Sequence, residues 1–520
     1  MTMRFAPNNS ALRRGARQIL KGSPTLPALF GGVFSICVQA SCLAPDAVPG
    51  GEGGAGGTSS TNSNSGGLGE AGYTLSWAKS YGVDGDYNQR AFAAQVTAEN
   101  NILVAGEFES TLTLDPLPTI PNTVNRDGFV ALLSPEGDAQ WALAFAGPGD
   151  QKIQSVLQAP DGKVIVAGSF FQNLIVDATD LAIAPMGREG FIAAIGANQK
   201  VDWIVQVTGE NEQSVHSIAI VGNSPESYSI AAVGIFQGAL TVGTVSGGDT
   251  ADGDDFYVSL IANDGTVQWA RSLGGDPPDL QGDKPACVVS GSVDGSVYAA
   301  GSFSGTVQLG QNLGALGMHD LFIGRFDSMG EPVWGTAVGS ADSDHYAADL
   351  AVDSSGKVAL VGDIRGKANF GDGTVLTSDG NWPDAVLAIY TAEGKLSWAR
   401  RYGSQAEDHG SAIAFTMDGG LLFGGEFRGS ITFGKDEALN HNSAIAYNDD
   451  LFIAKLTANG APLFQAAYGG EGNQVMGQVA YSATGDIVFA GWNSGQVDFG
   501  DGELDAAAGD NIFVTKLVHQ

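Results

Sequence analysis

Three short groupings in this chain have the residue types and spacing that chemistry needs. "DGDYN" places Asp84, Asp86 and Asn88 at alternate positions. Oxygen donors so spaced suit calcium, although the stretch lacks the mid-loop glycine and closing glutamate of an EF-hand. "SDH" and "EDH" place Asp344–His345 and Asp408–His409 at matching points of two successive repeats. A carboxylate and an imidazole from each would suit a divalent metal such as zinc; the plain alternative is mere repetition. His216, His319, His441 and His519 show no such pairing. There is no GxSxG elbow, phosphate loop or HExxH helix. No catalytic or cofactor-binding residue is therefore assigned.

The elements that must position these groups recur along the chain. Trp77, Trp141, Trp203, Trp269, Trp334, Trp398 and Phe464 are spaced by 64, 62, 66, 65, 64 and 66 residues. A near-fixed period over the body of a chain means a repeat architecture. Phrases such as "ILVAGEF", "VIVAGSF" and "LLFGGEF" keep Gly106, Gly168, Gly234, Gly301, Gly362, Gly425 and Gly491 in register. An apolar strand opened by an acid follows, then a short turn, then the Trp strand. Each repeat holds four short strands, with no helical periodicity. The expectation is an all-β, seven-bladed β-propeller of four-stranded blades. The seventh repeat lacks its Trp strand, and "LSWAKSYG" at 75–82 is a Trp strand without a repeat. The N-terminal strand (about 75–81) is expected to complete the C-terminal blade and remove both edges. The recurring aromatics read as packing residues, because a ligand site would not need seven copies.

Long segments between the second and third strands, such as "QLGQNLGALGMHD", mark one face as the working face. That face is rich in acid. One set lies between repeats: Asp84, Asp86, Asp150, Glu210, Glu212, Asp276, Asp279, Asp342, Asp344, Glu407, Asp408 and Glu471. A second set opens the third strands: Asp127, Glu189, Asp254, Asp320, Asp384, Asp450 and, in the last repeat, Asn511. Solvated polarity explains the first set as well as binding does, and turn capping explains the second.

The ends of the chain have other compositions. Residues 1–42 carry Arg4, Arg13, Arg14, Arg17 and Lys21, no acid, and the apolar run "LPALFGGVFSICVQA". This is the layout of a signal peptide. "QASC" suggests lipid attachment at Cys42; Gln39 fits that pattern poorly, and ordinary cleavage after Ala40 is the alternative. Residues 43–72 are Gly- and Ser-rich and read as a flexible tether. The propeller spans 73–520. Cys287, in "ACVVSG", reads as a buried small hydrophobe. The net charge of −32 argues against nucleic acid, whose phosphates require Lys and Arg, and against an anionic membrane surface.

The phrase "DDLFIAKLTANGAPLFQAAYGGEGNQVMGQVAYSATGDIVFAGWNSG", residues 449–495, resembles the SBBP-type β-propeller repeat of bacterial secreted and surface proteins. The likeness covers 73–520 and implies an architecture rather than a chemistry. The glycine-rich tether is similar to those of envelope lipoproteins. The chain is thus expected to be exported, as an outer-membrane or cell-surface lipoprotein or a secreted protein. It would be monomeric and touch membrane only through a lipid anchor.

These readings point to a non-enzymatic scaffold that binds a protein, a glycan or a divalent cation through its acidic loop face. Alternatives are a propeller enzyme (lyase, glycosidase or quinoprotein-like, since "TAEGKLSW" is similar to a quinoprotein turn) and an outer-envelope assembly factor. Calcium is the expected ion, because oxygen donors dominate. Millimolar calcium should raise the melting temperature over chelator at constant ionic strength, by mass action. The rise should vanish when Asp84→Asn and Asp86→Asn are combined.

Overall fold

The computed structural model describes residues 72–82, 87–122, 125–177, 179–276, 287–341, 343–434, 438–440, 448–500, 502–504 and 509–520. Asp84, Asp86, Asp279, Asp342, His441 and Cys42, with the expected signal and tether, lie outside them. Strands, turns and bends make up the described residues, with no helix.

The described strands form seven antiparallel units of four. Their first strands, called inner here, are Gln89–Val96, Gln151–Gln158, Gln213–Val221, Cys287–Gly291, Asp344–Val352, Asp408–Phe415 and Asn473–Tyr481. Each inner strand packs beside those of the units before and after it, and that of the last unit packs beside that of the first. The second strands, such as Ile102–Phe108 and Leu421–Phe427, are buried throughout. Sheets covered on both faces need such continuous apolar runs.

The N-terminal strand Tyr73–Tyr81 runs antiparallel to Asn511–His519, pairing Tyr81 with Ile512 and Tyr73 with His519. It is the fourth strand of the last unit, in the order expected from the sequence.

Two features differ from seven separate blades. The second, third and fourth units merge into one thirteen-stranded sheet. Their second and third strands run on into long hairpins, and two of these pair with the preceding unit's outer strand, as Val207 with Val242 and Gly274 with Val307. The long segments expected to be free binding loops are also largely committed to packing. Their "VxL", "IxF" and "VxF" patterns bury Val307, Leu309, Ile431, Phe433, Val497 and Phe499. Alternating apolar residues turned these loops into half-buried ribbons.

Consecutive units are joined through the outer-strand aromatics. The indole Nε1 of Trp77, Trp203, Trp269, Trp334 and Trp398 donates to the turn carbonyls of Pro135, Asn263, Ser328, Ala392 and Ala458 in the next unit, at 2.9–3.1 Å. The same turns carry Gly137, Gly265, Gly330, Gly394 and Gly460, with φ between 73° and 86°. A Cβ on any of them would meet the indole or its flanking side chain at 3.0 Å or less. The glycine is thus required twice, for its left-handed backbone and for the ring lying on it. Of these rings Trp77, Trp203, Trp334 and Trp398 are half-buried and Trp269 is buried.

At the seam beside the last unit, the third strand Asn511–His519 and the fourth strand Tyr73–Tyr81 are distant in sequence and no turn joins them. There the aromatic is Phe464, which has no N–H to satisfy. Its ring lies 4.9 Å from that of Tyr73. Lys455 Nζ bridges the seam, 3.0 Å from Tyr481 Oη and 2.9 Å from Asp418 Oδ2.

Trp334→Phe keeps the ring and loses the hydrogen bond, and should lower stability by about 1 kcal/mol. Trp334→Ala should cost about 3 kcal/mol through lost packing. Chemical denaturation of the two variants checks both values.

Candidate functional site

Six of the seven inner strands break their ladders near the start. Register shifts fall at Ala91/Ala93, Ile153/Ser155, Val215/Ser217, Ala347/Asp349, Gly410/Ala412 and Met476/Gln478. Six inner strands therefore carry a one-residue bulge, which re-aims a side chain. The residues so displaced are Phe92, Gln154, His216, Ala348, Ser411 and Gly477. All six line one cavity of about 520 Å³, to which all seven inner strands contribute.

The bulge explains the glycine repeat. It presses the carbonyl of the residue two before it against the second strand. A Cβ at Gly106, Gly168, Gly234, Gly362, Gly425 or Gly491 would lie 1.8–2.0 Å from the carbonyl oxygen of Arg90, Lys152, Ser214, Tyr346, His409 or Val475 respectively. Only glycine fits there.

The residues that supply those carbonyls, two before each bulged residue, vary in side chain while their backbones do not. Several of the side chains reach back to the preceding unit. Arg90 lies 5.8 Å over Trp492, and Lys152 Nζ 4.0 Å over Phe92. Tyr346 sits 5.9 Å from the His319 ring, and His409 Nδ1 lies 2.8 Å from Asp363 Oδ2. The result is a belt at the end of the cavity where Phe92, His216, Ser411 and Trp492 line it.

The belt is chemically lopsided. On one arc stand Arg90, Lys152, Arg188 and the aromatics Phe92 and Trp492, whose rings meet edge-on at 5.6 Å. His216 lies among them, its Nε2 2.8 Å from Ser214 Oγ. Burial, with the charges of Lys152 and Arg188, pushes its imidazole down to about 3, so it is neutral at physiological pH. On the other arc stand two carboxylate–imidazole pairs. His319 Nδ1 is 2.8 Å from Asp344 Oδ1, and Tyr346 Oη donates to Asp344 Oδ2 at 3.3 Å. Beyond the Asp363–His409 pair, Ser411 Oγ donates to Glu426 Oε2. A carboxylate on one imidazole nitrogen fixes the ring and its tautomer, which readies the other nitrogen to donate or accept.

The expected metal quartet is not assembled as the sequence suggested. Asp344 and His345 are neighbours on a strand, so they point to opposite faces. Asp344 turns to His319, while His345 is buried with Nε2 on the carbonyl of Lys367 at 3.1 Å. Asp408 and His409 part in the same way, and His409 takes Asp363 instead. Among the described residues no three His, Cys, Asp or Glu groups gather in a metal-holding geometry. Asn88, the described member of the first grouping, donates to Glu109 Oε2 at 3.2 Å. Cys287 is fully buried, and burial pushes its thiol up.

Of the third-strand acids, Asp127, Glu189, Asp320, Asp384 and Asp450 are buried and Asp254 is half-buried, and three of them hold turns. Asp320 accepts from the Leu316 and Gly317 N–H groups, Asp384 from Asp379 and Asp127 from Gly147. Of the acids between repeats, Glu210, Glu212 and Glu471 are exposed. Asp408 is an exception, because it faces Asp384 across Gly403. A Cβ on Gly403 would be 2.6 Å from one carboxyl and 2.7 Å from the other. Both are buried, and among the described residues Oδ1 of each has no hydrogen-bond partner. Burial, and then the charge of Asp384, pushes Asp408 up to about 8, against the opposing hydrogen bond from the Ser404 N–H.

No family description matches the chain. A regulatory protein of Caulobacter vibrioides, FlaEY, is 23% identical over 356 residues, covering 63% of this chain and 34% of that protein. The chain thus spans about a third of that relative's length. Among solved structures, Sqt1 of Chaetomium thermophilum covers 86% of this chain and 100% of its own, at 11% identity and a TM-score of 0.38. A rhamnogalacturonan lyase of Bacillus licheniformis covers 82% and 91%, at 11% identity and 0.26. The V. cholerae biofilm matrix protein Bap1 covers 85% and 91%, at 9% identity and 0.23. These likenesses specify neither ligand nor reaction for this chain.

The belt was missed in the sequence because its members share no residue type. The signal was present as variation: one register inside an otherwise repeated strand reads Arg90, Lys152, Ser214, Tyr346, His409 and Val475.

The Asp408 carboxyl has a sign that can be tested. Its folded-state affinity for a proton exceeds that of the unfolded chain. Its contribution to stability is therefore present below the ordinary carboxylate range and lost as pH rises towards about 8. Asp408→Asn should be more stable than the parent at pH 8 and no more stable at pH 4, as denaturant melts at the two values will show.

Proposed function

We propose that residues 73–520 form a closed seven-bladed β-propeller of the SBBP type, working as a non-enzymatic binding scaffold with its ligand at one mouth of the central cavity. The cyclic packing of the inner strands and the pairing of Tyr73–Tyr81 with Asn511–His519 support the closed ring. The basic and apolar N-terminal sequence supports export, with Cys42 as the lipid attachment point and residues 43–72 as the tether.

One observation carries the functional reading. Bulges in six inner strands turn side chains of different chemistry into a single cavity, at the end where the belt lies. A repeat that served only to build a ring would not need a different residue at each copy of one register. A cavity of about 520 Å³ falls within the usual range for small ligands and short glycans. The binding mode is therefore a pocket for a glycan, rather than the acidic loop surface as a whole.

A second reading is acid–base catalysis. The Asp344–His319 and Asp363–His409 pairs favour it, since each imidazole is oriented by a carboxylate at 2.8 Å.

The test is a panel of soluble neutral, uronic and sulfated polysaccharides applied to the immobilised full chain. Parent protein should retain at least one class, and Ser411→Trp, which fills the cavity mouth, should lose it while melting normally. Retention that survives Ser411→Trp would place the ligand elsewhere. Product release during incubation would favour the catalytic reading.

A further inference from the structure

The two arcs of the belt carry opposite charge, and one of them is out of keeping with the rest of the chain. The net charge is −32, with 25 basic residues against 57 acidic ones. Yet Lys152 and Arg188 stand two registers apart across one strand, Lys152 opposite Ser169 and Arg188 opposite Phe171, and both charges reach the His216 imidazole. Arg90, nearby, is neutralised by Asp510 at 2.6 Å and by Glu107. Arg188 has no such partner: among the described residues no carboxylate pairs with it, and its guanidinium lies 5.0 Å over the Phe171 ring. The acid next to it, Glu189, is buried, and burial pushes its carboxyl up to about 7. It is therefore a weak counter-charge.

The apolar surface between these cations is aromatic. Lys152 stands over Phe92, and Phe92 meets Trp492 edge-on. Both rings line the cavity. Lys offers a point charge, and Arg a planar fork that matches a carboxylate. A ring beside them suits the C–H face of a sugar.

We propose that the arc of Lys152, Arg188, His216 and Phe92 binds the carboxylate of an acidic sugar, so that the ligand of the cavity is a uronic-acid glycan. This rests on the binding reading above and narrows it. Arg188 holds the carboxylate, Lys152 shares it, and the sugar ring lies towards Phe92 inside the cavity. His216 contributes a neutral imidazole, so it adds no third charge and discriminates little against a monoanion.

Calorimetric titration of the full chain with tetragalacturonic acid, its fully methyl-esterified form and a glutamate tetramer tests this. The acid should bind, more weakly as salt is raised. The ester and the peptide should bind at least tenfold more weakly. Arg188→Gln and Lys152→Gln should each lose about tenfold for the acid, Lys152→Arg should recover most of it, and Lys395→Gln, on an exposed turn, should lose nothing. Unchanged melting temperatures exclude misfolding as the cause.

Equal binding of acid and ester, abolished by Ser411→Trp, would overturn the carboxylate assignment and leave the cavity reading standing. Acid binding that survives Ser411→Trp would overturn both. Peptide binding as tight as the uronide, or no loss in Arg188→Gln, would also overturn the assignment.

Discussion

The joint between an outer-strand indole and the next unit's turn is the constraint on which the rest of this structure depends. A four-stranded sheet buried on both faces cannot stand alone, so each unit needs a defined seat on its neighbour. Five of the joints use the same parts: an indole N–H, a turn carbonyl and a glycine beneath the ring. The indole fixes the angle, because ring and hydrogen bond must be satisfied together. Where the turn carries Gln199 instead of glycine, the backbone still takes φ of 61°. The turn's own backbone hydrogen bonds, Gln199 N–H to Gly196 and Gly196 N–H to Lys200, hold that conformation against a cost of about 1 kcal/mol for a left-handed non-glycine residue.

With the seats fixed, the inner strands are free to vary. Their bulges are backbone features, sustained by glycines in the second strand that let a carbonyl approach closely. Cross-unit bonds brace them, as when the Ile413 N–H donates to Asp349 Oδ2 and the Met476 N–H to Glu426 Oε1. None of this depends on the side chain two residues before the bulge or on that of the bulged residue itself. The scaffold thus separates what must repeat from what can specialise. A cationic, aromatic arc and a carboxylate–imidazole arc coexist on one frame for that reason.

The same separation explains what the sequence made legible. The Trp and Gly registers, the four-strand unit and the pairing of the first strand with the last could be read, because each is required in every copy. Packing of the long hairpins was misread as loop freedom, although Val307, Leu309, Ile431 and Phe433 alternate as a half-buried strand would. The Asp344–His345 and Asp408–His409 pairs were read as units because they are adjacent in sequence. On a strand, adjacency means opposite faces, and the true partners His319 and Asp363 come from other strands or loops. The belt carries a different residue in each copy, so repetition in the sequence does not mark it.

The Phe464 seam carries one further consequence, for the order of folding. Other joints bring together residues about one repeat apart, whereas this one brings Tyr73 to Phe464 and to the strand ending at His519. The equilibrium cost of so long a loop grows only with the logarithm of its length. The kinetic cost is larger, because distant contacts form late. Six units can stack before the seventh is complete, but the pairing of Tyr73–Tyr81 with Asn511–His519 spans the whole set of units. The seam is then the last joint to close and, on unfolding, the natural first to part. A tyrosine–phenylalanine contact with a bridging lysine stands where five other joints have a hydrogen-bonded indole, so the strength of this joint can change without altering any other.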